Sequence, residues 1–124
     1  MKKDLATYIL TRQEHLIMSV IWKLGGATAR EVFDVLFQKK NLAYTTILTH
    51  MQILRKKGVL IRRSTGRTHR YSPVLLKEQA TKNQVEDLLN RYFDGNPDRL
   101  VTAMQSEKFL QRAREAQSRR MRHE

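Results

Sequence analysis

The order of hydrophobic patterns in this chain predicts a mostly α-helical fold with a small β-hairpin. Three observations predict it. Three amphipathic helical stretches fill residues 11–57, a short β-branched run with a turn and a return run follows, and residues 43–73 hold seven Lys/Arg and no Asp or Glu. The chain has 124 residues, a formal net charge of +12 and no cysteine. That length suits one domain, or a small domain with an appendage. The expected division is residues 1–75 and residues 76–124.

The first helix is expected from Thr11 to Leu24, with Leu16, Ile17, Val20, Ile21 and Leu24 at helical spacing. Thr11 and Glu14 form a capping box, and Gly25-Gly26 ends the helix. The second is expected over about Thr28 to Phe37, burying Val32, Leu36 and one of Phe33 or Val35, and stopping in the polar run Gln38 to Asn41. The third covers about Tyr44 to Lys57. Its stripe Ile47, Met51, Leu54 and Gly58 faces the core, leaving Thr45, Leu48, Thr49, Gln52 and Lys56 opposite. Val59-Leu60-Ile61 reads as a strand, Ser64-Thr65-Gly66 as a turn, and Arg67 to Ser72 as the returning strand closed by Pro73. Tyr71 and Trp22 read as packing residues. Three helices followed by a basic hairpin is the order of a winged helix-turn-helix.

Residues 76–124 read as helical. Leu76 to Phe93 is one stretch, Asp94-Gly95-Asn96-Pro97 a break and new start, and the basic tail from Arg112 is expected to fray. Leu88, Leu89, Tyr92, Phe93, Leu100, Val101 and Met104 are more apolar surface than two short helices cover, so they form the expected dimerisation surface.

An acid-free stretch in a chain with twelve carboxylates points to an anionic partner, nucleic acid ahead of a membrane surface. The third helix is the candidate reader, because a major groove admits one helix and its outward side chains meet base edges. Thr45, Thr49 and Gln52 offer hydroxyl and amide groups there, and Leu48 could meet a thymine methyl. Tyr44, Thr46 and His50 flank that face and suit the sugar–phosphate backbone, as do Lys56 and the hairpin residues Arg63, Arg67 and Arg70. Catalytic constellations are absent: the histidines at 15, 50, 69 and 123 lie in four separate segments, and no HExxH, phosphate-loop or nucleophile-elbow motif occurs. No enzyme activity, cofactor or metal is expected. With no apolar run near membrane-spanning length and no signal-peptide core, a soluble, cytoplasmic protein without membrane insertion is expected.

The assembled motifs resemble the BlaI/MecI/CopY-type penicillinase repressors. The resemblance runs through Leu10-Thr11-Arg12-Gln13-Glu14, Thr28-Ala29-Arg30-Glu31-Val32, Leu42-Ala43-Tyr44-Thr45-Thr46-Ile47-Leu48-Thr49 and Leu54-Arg55-Lys56-Lys57-Gly58. It closes with Gly66-Arg67-Thr68-His69-Arg70-Tyr71-Ser72-Pro73 and extends weakly to Leu100-Val101. It implies a homodimeric repressor on inverted-repeat promoter DNA, often with TACA and TGTA half-sites. It also implies a membrane metallopeptidase sensor pathway in resistance or stress regulation, with derepression by proteolysis in the C-terminal region. Carried over by position, Thr45, Thr46, Leu48, Thr49 and Gln52 fall on the recognition helix and Arg67 on the wing. Ile53 departs from the usual Arg, the segment after Met104 lacks the relatives' acidic helix, and the missing cysteines exclude the copper-sensing branch. Two other readings fit the residues: a small-molecule-responsive winged-helix regulator, and a sequence-indifferent architectural protein driven by charge.

Overall fold

A computed structural model describes residues 2–122. The elements run α1 (Arg12–Leu24), β1 (Ala27–Thr28), α2 (Ala29–Lys40), α3 (Tyr44–Lys56), β2 (Leu60–Thr65), β3 (Thr68–Pro73), α4 (Lys77–Tyr92), α5 (Pro97–Gln105) and α6 (Glu107–Arg122). The fold is mostly helical with a three-stranded antiparallel sheet of order β1-β3-β2.

The capping box expected at α1 is present. The Thr11 hydroxyl accepts from the Glu14 amide at 3.2 Å, and the Glu14 carboxylate accepts from the Thr11 amide at 2.9 Å. The buried stripe differs from the expected one: Leu16 is only half-buried, and Glu14 joins the buried residues. Met18 is fully buried whereas Leu24, next to the cap, is exposed. The α2 helix begins with a second capping box, Thr28 with Glu31, and runs three residues past Phe37. Gln38, Lys39 and Lys40 are good helix formers, and Asn41 enters the left-handed region to end the helix (φ 53°). Of the two candidates for its buried face, Phe33 packs against the core and Val35 is exposed.

Strand β1 is a two-residue element that the hairpin expectation did not include. Ala27 pairs with Tyr71 and Thr28 with Arg70. The approach is close: a Cβ on Gly26 would stand 3.3 Å from the Tyr71 carbonyl oxygen, and its φ of +126° suits only glycine. On the other side of β3, the hairpin register places Arg62 opposite Tyr71, Arg63 opposite Arg70 and Thr65 opposite Thr68. Tyr71 is buried with Ile17, Ile21, Val32, Ile47, Met51, Leu54 and Val59 in one core. Trp22 donates its indole N–H to the Leu75 carbonyl at 2.9 Å, fixing the chain as it leaves the sheet.

The chain divides into two compact units, Met1–Gln84 and Val85–Glu124. The first two turns of α4 therefore belong with the first unit, whereas the sequence reading begins the second at residue 76. Asn83 is the reason: it is buried and donates to the carbonyls of Leu5 (2.9 Å) and Tyr8 (3.0 Å). In the second unit, Asn96 caps α5 by accepting from the Asp98 amide, with Pro97 in the first turn. In the segment where the sequence suggests a fraying tail, α6 continues to Arg122. Its Ala, Gln, Glu and Arg content favours helix, and Arg119, Arg120 and Arg122 suit the negative end of the helix dipole. Among the described residues from Val85 onward none is buried.

Candidate nucleic-acid interface

Helix α3 is positioned by its inner stripe. Ile47, Met51 and Leu54 are fully buried, which turns Thr45, Thr49, Gln52 and Lys56 outward. Thr46 and His50 are half-buried at the flanks. Leu48 is half-buried and packs against the core, so only part of its side chain is open to a partner. Tyr44, at the first turn, is braced by the Phe33 ring in an edge-on contact, with centroids 5.8 Å apart. Phe33 in turn carries the Arg30 guanidinium over its face at 5.4 Å. The start of α3 is thus held by an aromatic contact, because Ala43 at its N-cap supplies no side-chain hydrogen bond.

The wing presents Arg63 and Arg67 as exposed cations, with Gly66 making the tip turn (φ 69°). At the tip, the Ser64 hydroxyl and the His69 ring nitrogen Nδ1 lie 2.9 Å apart across the strands. Arg70 is placed differently from the other wing cations. Its Nη1 donates to Glu31 Oε1 at 2.9 Å and its Nη2 to the Gly26 carbonyl at 3.2 Å. The Glu31 carboxyl is held below its ordinary value chiefly by the Thr28 amide; burial opposes this, and the Arg70 charge adds to the lowering.

Behind α3 lies a polar cluster that sequence reasoning did not find. The Tyr8 hydroxyl lies 3.0 Å from each oxygen of buried Glu14, and Lys57 Nζ reaches the Tyr8 oxygen (3.0 Å) and Glu14 (3.2 Å). Burial raises the Glu14 carboxyl, yet the Thr11 amide, Tyr8 and Lys57 outweigh it and its pKa lies below the ordinary value. The Lys57 ammonium is shifted up, first by its contact with Tyr8. Lys57 caps α3, so the cluster fixes α3 to the start of α1. A sequence signal existed only at Glu14, a capping residue on the same helical face as Ile17 and Ile21.

The expected dimerisation residues divide. Leu88, Tyr92, Val101 and Met104 are exposed, Tyr92 to 70%, whereas Leu89, Phe93 and Leu100 are half-buried within the second unit. Among the described residues no group of acidic or histidine side chains could hold a metal ion, and no helix is long and apolar enough to cross a membrane.

Three helices, a strand after the first, and a two-stranded wing against the third define a winged helix-turn-helix. The Penicillinase repressor family model matches residues 10–122. The chain belongs to that family, the BlaI/MecI group of transcriptional regulators. It is 32% identical over 77 residues to the transcriptional regulator BlaI of Mycobacterium tuberculosis, a match covering 61% of this chain and 56% of that protein. To the penicillinase repressor of Bacillus licheniformis it is 29% identical over 85 residues, covering 68% of this chain and 66% of the relative. To the methicillin resistance regulatory protein MecI of Staphylococcus aureus it is 24% identical over 98 residues, covering 79% and 80%. The first of these matches thus spans little more than half the relative's length. The solution structure of the DNA-binding domain of the repressor BlaI superimposes with a TM-score of 0.56 at 30% identity, covering 64% of this chain and 93% of that one.

Proposed function

We propose that the chain is a dimeric transcriptional repressor that binds inverted-repeat operator DNA through α3 and the β2–β3 wing. The observation that carries it is the outer face of α3. Thr45, Thr49 and Gln52 are exposed, uncharged and able to read base edges, and they lie in a stretch of seven cations without a carboxylate. Tyr44, Lys56, Arg63 and Arg67 supply the phosphate contacts that set orientation. The second unit supplies the dimer: with no described residue buried from Val85 onward, Leu88, Tyr92, Val101 and Met104 need a second copy to leave water. Proteolysis in the C-terminal region, downstream of a membrane metallopeptidase sensor, relieves repression by removing what joins two weakly binding recognition helices.

Footprinting on the DNA upstream of its own gene, at about 0.15 M salt with excess competitor, tests this reading. Two protected half-sites about 34 Å apart, or a multiple of that, are expected. Uniform weak protection would replace it with the architectural reading.

A further inference from the structure

Arg63 and Arg70 are direct cross-strand partners, and like charges opposite one another weaken a hairpin. Glu31 answers that repulsion from outside the hairpin. A single oxygen, Oε1, accepts both the Thr28 amide that starts α2 (2.9 Å) and Arg70 Nη1 (2.9 Å). The other guanidinium nitrogen reaches the Gly26 carbonyl one residue before β1, while the Arg70 backbone pairs with Thr28. The start of α2, the edge strand and the wing strand meet at one side chain. We propose that Glu31 is a positioning residue for operator binding: it holds Arg70 against the start of α2, so that Arg70 sets the angle between wing and recognition helix and is not itself a phosphate contact. This rests on the DNA-binding reading above, and it withdraws Arg70 from the interface that the sequence suggested.

The test has one arm without DNA and one with it. In the free full-length protein, Glu31→Gln raises amide hydrogen exchange across residues 60–73 about tenfold while leaving α1 and α3 unchanged. Unchanged wing exchange overturns the pinning whether or not the protein binds DNA. On the footprinted operator, Glu31→Gln and Arg70→Gln each weaken binding about fivefold, the double variant is no weaker than either single one, and the salt slope stays the same. Arg67→Ala, at the wing tip, then costs less in the Glu31→Gln background than in the unmodified protein, a coupling that simple loss of stability does not produce. Tighter binding by Glu31→Gln, or a slope shallower by about 1 per subunit for Arg70→Gln, would make Arg70 a phosphate contact and overturn the proposal. If Glu31→Gln melts too low to study, Glu31→Asp keeps the charge but is one methylene too short. It shows the same loss if position matters, and none if charge alone does.

Discussion

Glu14 shows how a charge can be kept inside a small domain. It is buried, yet three donors surround it, and its carboxylate is the state that Thr11, Tyr8 and Lys57 all favour. Because its folded pKa lies below the ordinary 4.5, its stabilisation is present above that value and is lost as pH falls through the lowered one. Glu31 acts in the same direction, more weakly, being half exposed. Glu14→Gln is expected to cost about 2 kcal/mol and to lower the melting temperature by roughly 10 °C. Urea midpoints followed from about pH 6 to 3 should fall less in the variant than in the unmodified protein; parallel curves would remove Glu14 from the account. On the proposed reading face of α3, Gln52→Ala should alter which base is preferred at one position by about 1–3 kcal/mol. Arg67→Ala should weaken operator and scrambled DNA alike, and equal losses on both for Gln52→Ala would deny it the reading role. The inward residues of α3 were legible because apolar spacing reports a core directly. Arg70 was not, since nothing in a run of cations says which one meets a carboxylate 39 positions earlier in the chain.

At the scale of elements, local chemistry was legible where it punctuates. The Thr11 capping box, the glycine pair, Gly58 and the Asn96-Pro97 start all lie where the sequence puts them. Strand β1 was not legible, because two residues carry no periodicity and owe their conformation to Tyr71 and Arg70 across the ladder. Gly26→Ala tests that dependence. The added methyl must enter space 3.3 Å from the Tyr71 carbonyl at a backbone angle alanine avoids, so a loss of about 1–3 kcal/mol is expected in thermal melts. A neutral result would mean β1 is dispensable to the sheet. The extent of α6 was not legible for the opposite reason: its polar run carries little apolar periodicity, although its residues are mostly strong helix formers.

For the whole molecule, charge and exposed apolar surface make separate demands. If the chain pairs as proposed and each subunit neutralises ~4 phosphates, the logarithm of the binding constant should fall against the logarithm of salt with a slope of about −7. A slope shallower than about −3 would sink the basic-face assignment. Placing aspartate at both Tyr92 and Val101 should give a monomer in sedimentation while the first unit, with its own core, stays folded. A dimer that survived both substitutions would place the interface elsewhere.

An interior-free second unit has a calorimetric signature. The heat-capacity step on unfolding comes from apolar surface passing into water. In a lone chain residues 85–122 have little left to expose, so their melting should be broad and nearly without such a step, while Ile17, Met51, Tyr71 and their neighbours supply almost all of it. Pairing two chains transfers new surface into that account, so the measured heat capacity of unfolding should itself rise with protein concentration.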